Sequence, residues 1–373
     1  MKGYKVVIGL VVLVLLILSL SGCAPKITIP QMEMEGSQWC YPRSDPQNTG
    51  YIDGMLSDSL KKIWYTQLNG MDPSCPTTFD KLVFTGLPNS RIIALDKENG
   101  AIKLNFWADA PIIMPPVFSP PYMAYIGSGM YNVTACFDVR SGQRIFANRS
   151  GDSKTAPIIC DDTIIVFTMS GGVYALNALN GLLLWQVKLA NPIHVQPAER
   201  NDTLFIAAND VLVEIYRGEV TLQTTLPFVP TGFVVLSDDK IAISSESGDI
   251  AVISSANGQP VWQTKLNAEA LPPMVHAGKA IFADKAGNIK AFDLASGKEL
   301  WKVNVGKNVL SPPIGVGEKV VVSTEDGDIY LIANADGKVI SKTAIHEDVK
   351  RGLASDGKSL FVPSVYGRIT CLR

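Results

Sequence analysis

Apolar and polar residues alternate along residues 287–301, GNIKAFDLASGKELW, with the two-residue period of a β-strand. Gly287 and Asn288 stand at the front of this stretch and are residues that a tight hairpin turn favours. Asp293 and Gly297 follow it, where a short acid can accept hydrogen bonds inside a turn and glycine adopts a positive φ. The pattern predicts a strand between two hairpins, with Trp301 at the start of the next strand.

The same pattern returns about every forty residues. Related segments occupy residues 91–104, 171–185 and 248–262. The second glycine of each copy is Gly100, Gly142, Gly181, Gly218, Gly258, Gly297 or Gly337, with separations of 42, 39, 37, 40, 39 and 40 residues. Such a period predicts an array of one structural unit.

Prolines precede the first predicted strand of most units. They are Pro157, Pro197, Pro230, Pro272-Pro273 and Pro312-Pro313. Because proline cannot donate a ladder hydrogen bond, this strand is expected at the edge of its sheet. Each unit is therefore predicted to be a four-stranded antiparallel sheet.

Sheets of this kind arranged radially form a β-propeller. The sequence contains seven complete units and one divided unit. Residues 352–373 supply three strands of the last unit, and the segment around Trp64 supplies the fourth. Pairing of the first and last strands would close the ring. We therefore predict an all-β, eight-bladed propeller over residues 60–373.

The repeated residues carry a resemblance to a known family. The pattern is complete in Ala291, Asp293, Gly297 and Trp301, and Trp64, Trp185 and Trp262 stand at related positions. It resembles the tryptophan-docking repeat of propellers of the pyrroloquinoline-quinone type, and in length and blade count the chain is similar to the BamB family of outer-membrane lipoproteins. The resemblance implies that these tryptophans pack blade against blade, and it indicates the fold more strongly than the function.

The N-terminus carries the pattern of a lipoprotein signal. Lys2 and Lys5 precede an apolar run over residues 6–18, and Leu20-Ser21-Gly22-Cys23 ends it. The run is shorter than the roughly 20 residues of a membrane-spanning helix. We expect residues 1–22 to be removed as a signal peptide and Cys23 to be acylated, with palmitate or a related chain. Because Ala24 rather than aspartate follows, the resemblance to bacterial lipoproteins implies an outer-membrane anchor facing the periplasm.

Residues 23–59 lie between the predicted anchor and the propeller. Residues 24–37 lack a period and are expected to form a tether, whereas residues 39–51 resemble a tryptophan-led segment of quinone-type repeat proteins. The resemblance implies that this second part lies over one face of the ring. Trp39 either packs against the first blade or stacks on a sugar or quinone, and the sequence favours packing.

Two cysteines lie outside the repeats, on either side of the closing strand. In an oxidising compartment, Cys40 and Cys75 are expected to form a disulfide, with a pair of unlinked thiols as the alternative. No C-x-x-C motif occurs in the sequence, so redox and zinc motifs have no support.

The sequence offers little evidence of catalytic chemistry. Its three histidines have no metal-ligand spacing, and it lacks the common nucleophile, zinc-protease and phosphate-loop motifs. The adjacent cysteines that family resemblance requires of a quinoprotein dehydrogenase are also missing. We therefore expect no catalytic residue, no metal and no cofactor. The formal charge of −2, without a basic cluster, argues against nucleic acid as a partner class.

A scaffold or binding protein is the leading hypothesis. Rigid strands with variable loops suit partner binding, and the resemblance implies outer-membrane assembly proteins as partners. Ile193, Val195 and Arg200 follow Trp185 in an irregular stretch and are the candidate partner contact, with an ordinary long loop as the alternative. A quinoprotein dehydrogenase and an envelope protein that binds glycans or other polymers are the alternative functions.

Overall fold

The protein is an all-β propeller of eight blades. The structure, a computed structural model, describes residues 29–32, 38–128 and 132–373. The predicted signal peptide and Cys23 lie outside the described residues. In the part of the chain that the structure describes, no helix has the length and apolar character needed to cross a membrane.

The first four blades follow two N-terminal strands. These strands are β1 (Tyr51–Ile52) and β2 (Lys62–Gln67). Blade 1 contains β3 (Thr77–Phe79), β4 (Leu82–Leu87), β5 (Arg91–Asp96) and β6 (Ile102–Trp107). Blade 2 contains β7 (Val117–Ser119), β8 (Tyr122–Gly127), β9 (Val133–Asp138) and β10 (Gln143–Arg149). Blade 3 contains β11 (Ile158–Cys160), β12 (Thr163–Phe167), β13 (Gly172–Asn177) and β14 (Leu183–Lys188). Blade 4 contains β15 (Ala198–Arg200), β16 (Thr203–Ala208), β17 (Val211–Tyr216) and β18 (Glu219–Thr225).

The remaining blades continue in chain order. Blade 5 contains β19 (Val235–Ser237), β20 (Lys240–Ser244), β21 (Asp249–Ser254) and β22 (Pro260–Lys265). Blade 6 contains β23 (Met274–His276), β24 (Lys279–Ala283), β25 (Asn288–Asp293) and β26 (Glu299–Asn304). Blade 7 contains β27 (Ile314–Val316), β28 (Lys319–Ser323), β29 (Asp328–Ala333) and β30 (Val339–Ala344). Blade 8 contains β31 (Ala354–Ser355), β32 (Leu360–Ser364) and β33 (Arg368–Leu372), with β2 as its outermost strand.

The closing strand pairs as the sequence predicts. Strand β2 runs antiparallel to β33, and Trp64 stands opposite Cys371. Strand β2 and the last three strands of the chain therefore share one sheet, and this pairing closes the ring.

The first strand of each unit lies at the inner edge of its blade, as the prolines predict. In blade 7 this edge is covered, because β1 pairs in parallel with β27 and gives a five-stranded sheet. Along β25, the alternating positions Ile289 and Ala291 are fully buried, while Lys290 between them is partly exposed. The apolar core therefore lies between adjacent blades.

Two faces of the ring can be distinguished by their loops. We call the face of the blade-to-blade connections, such as residues 190–197, the connection face. The opposite face carries the turns after each innermost strand and before each outermost strand, such as residues 139–142, and we call it the turn face. Asp293 and Gly297 form one of these turns. The Ser296 amide donates to Asp293 Oδ1 at 2.8 Å, and Gly297 has φ of 71°.

Candidate functional site

A segment of the chain that precedes the repeats lies along the centre of the ring, rather than over one face of it as the resemblance implied. We call residues 39–52 the inner segment. Its backbone carbonyls accept hydrogen bonds from the amide of the middle residue of successive innermost strands. These bonds join Thr78 to Trp39 (2.8 Å), Phe118 to Cys40 (3.0 Å), Glu199 to Pro46 (2.9 Å), Leu236 to Gln47 (2.9 Å), Val275 to Thr49 (2.9 Å) and Gly315 to Gly50 (2.8 Å).

Blades 3 and 8 are contacted as well, and each contact falls at the expected point in the order of the blades around the ring. In blade 3, the Tyr41 hydroxyl donates to the Ile159 carbonyl at 3.2 Å and accepts from the Ile159 amide at 3.3 Å. At blade 8, the Met55 amide, just beyond the inner segment, donates to the Gly357 carbonyl at 2.7 Å. The chain therefore makes one circuit of the ring before the repeats begin.

Left-handed residues allow the inner segment to curve. Ser44, Asn48 and Gly50 have φ of 75°, 60° and 70°. Asp45 accepts hydrogen bonds from both the amide and the hydroxyl of Thr49 and fixes the turn between them. A side chain at Gly50 would collide with the Arg43 guanidinium, so glycine is required there for space as well as for φ.

Two buried polar side chains connect this segment to the connection face. The Asn48 amide group donates to the carbonyls of Pro197 (2.8 Å) and Val234 (2.9 Å), which links blades 4 and 5. Arg43 Nη2 donates to the Pro273 carbonyl at 2.6 Å, and its guanidinium carbon lies 5.8 Å from the centre of the Phe233 ring. Burial lowers the pKa of Arg43 to about 10 despite the nearby Asp45 carboxylate.

The electrostatic consequence is that Arg43 remains a cation at neutral pH inside the ring. Among the residues that the structure describes, its Nε and Nη1 atoms have no hydrogen-bond partner. The charge is offset only in part, because an unpaired buried donor has lost its water without a full replacement. The centre of the ring is thus occupied by the chain's own backbone and by one positive side chain.

Trp39 packs in the core, but its cluster is formed by residues of blades 7 and 8 and of the N-terminal segment rather than by the first blade. It is fully buried in a cluster with Leu56 and Leu353, and its amide donates to Thr78 Oγ1 at 2.9 Å. Because no face of the indole is exposed, it offers no stacking surface to a sugar or a quinone.

The expected disulfide is absent from this structure. Cys40 and Cys75 are both free thiols. Cys40 packs against the core clusters of two junctions, between blades 1 and 2 and between blades 2 and 3, whereas Cys75 precedes the innermost strand of blade 1 and lies near Arg43 and Arg351. Burial raises the pKa of Cys40 to about 12 and that of Cys75 to about 11, so both stay protonated at neutral pH.

The candidate partner contact does not form one surface. Ile193 is fully buried in one core cluster and Val195 is buried in another. Arg200 ends β15 on the turn face, whereas the loop that carries the other two lies on the connection face. In this loop, Pro192 and His194 are the exposed neighbours. The sequence prediction failed here because side chains in the loop alternate between the core and solvent.

The tryptophans lie at the junctions between blades. Trp64 Nε1 donates to the Lys97 carbonyl (2.9 Å), Trp262 Nε1 to Leu294 (3.0 Å) and Trp301 Nε1 to Asn334 (3.0 Å). Each acceptor is in the turn of the following blade that carries the repeated glycine. Trp185 packs against Gly218, which lies in the short turn between β17 and β18.

The tether prediction needs correction at residues 29–32. Ile29 and Met32 are 5% and 4% exposed, and their amides donate to the carbonyls of Gly142 and Val139 in the turn of blade 2. These residues are therefore docked on the propeller rather than extended from it. The absence of a period hid this contact, since two docked residues produce no repeating pattern.

A cleft of about 1140 Å³ lies on the turn face between blades 8 and 1. Charged side chains of both signs line it, among them Lys97, Glu98 and Arg373. Arg373 makes a bidentate contact with Glu98 at 3.1 Å, and burial lowers the pKa of Lys97. Across the described ranges, no group of three or more histidine, cysteine or acidic side chains is arranged to hold a metal ion. His276, the last residue of β23, instead stacks on Tyr51 with ring centres 3.4 Å apart.

Comparison with solved structures supports the fold. BamB from Moraxella catarrhalis is 17% identical and has a TM-score of 0.68, with 84% of this chain and 100% of that chain covered. The quinohemoprotein alcohol dehydrogenase from Comamonas testosteroni is 10% identical with a TM-score of 0.73, with 90% and 80% covered. The computationally designed protein Ika8 is 14% identical with a TM-score of 0.70, with 83% and 99% covered. At these identities the likeness concerns the fold alone, and it includes enzymes and a designed protein.

Comparison of sequences separates BamB from the other proteins that share the fold. The curated outer membrane protein assembly factor BamB from Yersinia pestis is 22% identical over 200 residues, which are 47% of this chain and 51% of that protein. The match thus spans about half the length of this relative. The family model for outer membrane protein assembly factor BamB matches residues 57–264, 217–302 and 246–340. Because these matches together cover more than half of the 373 residues, the chain belongs to the BamB family of propellers built from pyrroloquinoline-quinone-type repeats.

Proposed function

We propose that this protein is a non-catalytic, lipid-anchored scaffold of the cell envelope that takes part in the assembly of outer-membrane β-barrel proteins. The observation that carries the proposal is the family match over most of the propeller. The proposed anchor is Cys23, which follows the apolar run and small residues of a lipoprotein signal.

The occupied ring centre supports a scaffold rather than an enzyme. A ligand placed at the level of the inner segment would have to displace a backbone that is hydrogen-bonded to the innermost strands of six blades and a Tyr41 hydroxyl that is hydrogen-bonded to a seventh. Displacement would leave these buried amides unpaired, at a cost of about 1–3 kcal/mol each. Loops on the two faces are accessible without such a cost, which favours binding of a partner at a face.

The direct test is cross-linking of the full chain in its native envelope. A photoreactive amino acid would replace His194 on the connection face or, in a matched variant, Lys298 on the turn face; both positions are exposed. We expect outer-membrane assembly components to be cross-linked from one face and not from the other. Recovery of no such component from either position would contradict the assembly role.

Two further measurements separate the alternatives. Purified protein should not catalyse quinone-dependent reduction of a dye, and a positive result would favour a dehydrogenase. A screen against envelope glycans should give no specific ligand, whereas binding to one polymer without capture of assembly components would favour a polymer-binding propeller. Mass spectrometry of the N-terminal peptide should show acylation at Cys23, and an unmodified thiol would refute the anchor.

A further inference from the structure

Blade 3 exposes an unusual group of leucines. We call Leu179, Leu182, Leu183 and Leu184 the leucine patch; their exposed fractions are 60%, 66%, 52% and 50%. They occupy the turn between β13 and β14 and the start of β14, at the outer rim of the turn face. Isolated exposed leucines are ordinary, but four within residues 179–184 concentrate exposed apolar side chains in the way that interaction sites do.

The repeat itself does not require these leucines. The corresponding residues of blade 6 are Ala295, Lys298, Glu299 and Leu300. In blade 5 they are Ala256, Gln259, Pro260 and Val261. At the first three of these positions, blade 3 has leucine where blades 5 and 6 have alanine, proline, polar or charged residues and still form the same turn, whereas the fourth position is apolar in all three blades.

The turn holds the leucine patch in a fixed position. The amides of Leu179 and Leu182 donate to Asn177 Oδ1 and Asn180 Oδ1, both at 2.9 Å. On the blade 2 side, Asn148 Nδ2 donates to the Gly181 carbonyl at 2.7 Å. The backbone that carries the leucines is therefore fixed from both sides, and their side chains are exposed on it.

The patch lies near the point where the N-terminal chain reaches the propeller. Ile29 docks on Gly142, and Gly181 packs against Phe146, four residues further along β10. At about 3.3 Å per residue, the two contacts are roughly 13 Å apart. Cys23 precedes Ile29 by six residues, which can extend over at most about 21 Å. A lipid on Cys23 therefore lies within reach of the leucine patch.

The turn that receives Ile29 also presents a cation. Arg140 lies in this turn with a side chain that is 72% exposed, and its ion pair with Asp138 is loose, at 3.6 Å. An exposed arginine on the same face as exposed apolar side chains favours binding at an interface with anionic lipid.

We propose that the leucine patch inserts into the lipid surface beside the Cys23 anchor and holds the rim of blades 2 and 3 against the membrane. The inference rests on the proposed lipid anchor and adds an orientation to it. Insertion removes four leucine side chains from water. It leaves the connection face of the ring directed toward the periplasmic space and its partners.

The test compares two matched positions in the full, lipidated chain. Leu184→Cys and Leu300→Cys place a thiol at equivalent repeat positions that are 50% and 43% exposed. Burial raises the pKa of the native thiols Cys40, Cys75, Cys136, Cys160 and Cys371, so labelling at pH 7.5 selects the introduced cysteine. Each labelled protein is reconstituted in phosphatidylethanolamine–phosphatidylglycerol vesicles that contain lipids brominated on the acyl chains.

We expect quenching of the label at position 184 to exceed that at position 300 by at least threefold. In Leu182→Ser/Leu183→Ser protein, which alters only exposed side chains, the excess at position 184 should disappear while the protein stays on the vesicles. Equal quenching at the two positions in protein with acylated Cys23 would overturn the inference and leave the anchor intact. Absence of acylation would instead refute the anchor on which both proposals rest. Cross-linking of two copies through position 184 would show that a second copy covers the patch, and it would also overturn the inference.

Discussion

Two junctions between neighbouring blades solve the same packing problem with different parts of the chain. Between blades 6 and 7, the Trp301 ring covers Gly337 and donates a hydrogen bond to Asn334. Between blades 1 and 2, Leu104 stands opposite Ala94 where Trp301 stands opposite Ala291, and Ile29 covers the turn glycine Gly142. The turn glycine is closely packed at both junctions: the repeat supplies its neighbour in one place, and the backbone of the N-terminal segment supplies it in the other.

The comparison shows that the N-terminal residues are part of the fold. Ile29 replaces a tryptophan at the rim, the inner segment satisfies the inner strands, and β2 completes blade 8. Repeat proteins gain stability mainly from contacts between neighbouring units. In this ring, a non-repeated segment makes contacts with every unit, and the following changes test how much each kind of contact contributes.

The largest effect is expected from Trp301→Ala. The side chain is 7% exposed, and its removal loses burial between blades 6 and 7 as well as the hydrogen bond to Asn334. We expect a loss of about 3–5 kcal/mol in the free energy of unfolding, measured by denaturant titration. Leu300→Ala, at an exposed neighbouring position, is the control and should change stability by less than about 0.5 kcal/mol. A small effect of Trp301→Ala would mean that blade junctions do not depend on the tryptophan.

A smaller effect is expected inside the ring from Asn48→Ala. The substitution leaves the carbonyls of Pro197 and Val234 without their donor, and it places alanine at a φ of 60°. We expect a loss of about 2 kcal/mol. Gln186→Ala, at an exposed residue of β14, is the control. Equal stability of both variants in the same titration would show that the inner segment contributes little to the ring.

The two junctions can be compared directly by adding one methyl group to each glycine. Gly337→Ala brings Cβ to 2.6 Å from Trp301 Cε3, whereas Gly142→Ala collides with the Ile29 carbonyl. Both glycines have positive φ, of 76° and 70°. We expect the free energy of unfolding to fall by about 2 kcal/mol for Gly337→Ala and by about 1 kcal/mol for Gly142→Ala. The second loss is smaller because residues 29–32 can separate from the turn more easily than a tryptophan fixed in a strand. Hydrogen exchange should locate the second loss at the amides of Ile29 and Met32, and exchange spread over blade 2 would contradict this explanation.

The smallest effect concerns alkaline pH. Burial raises the pKa of Cys40 from the ordinary value of 9.0 to about 12. Because the folded state holds the proton more tightly than the unfolded state, this contribution to stability is complete below pH 9 and is lost as the pH rises toward 12. The loss is at most about 1.4 kcal/mol per pH unit for one thiol. The difference in free energy of unfolding between the native protein and Cys40→Ala should therefore shrink by less than about 1 kcal/mol between pH 8 and pH 9.5. A constant difference would show that the thiol is not buried in solution.

The repeat made much of the fold predictable. Strand positions followed from alternation and turn residues, and the pairing of the strand around Trp64 with the last strand followed from the one unit that lacked its fourth strand. The candidate contact at Ile193 and Val195 was wrong because composition does not reveal which loop side chains enter the core. The disulfide expected between Cys40 and Cys75 was based on compartment and position in the chain, and the structure places the two thiols in different environments.

The sequence by itself determined the unit, its number and its closure, since each depends on a pattern that recurs within some forty residues or on the one place where that pattern is incomplete. Only the tertiary structure decided what lies in the ring centre and what covers Gly142. Residues 39–52 have no period of their own, and their conformation is set by inner strands that come up to some 270 residues later in the chain. Contacts of that range leave no local signal, because neither partner alone is required to be apolar or to alternate.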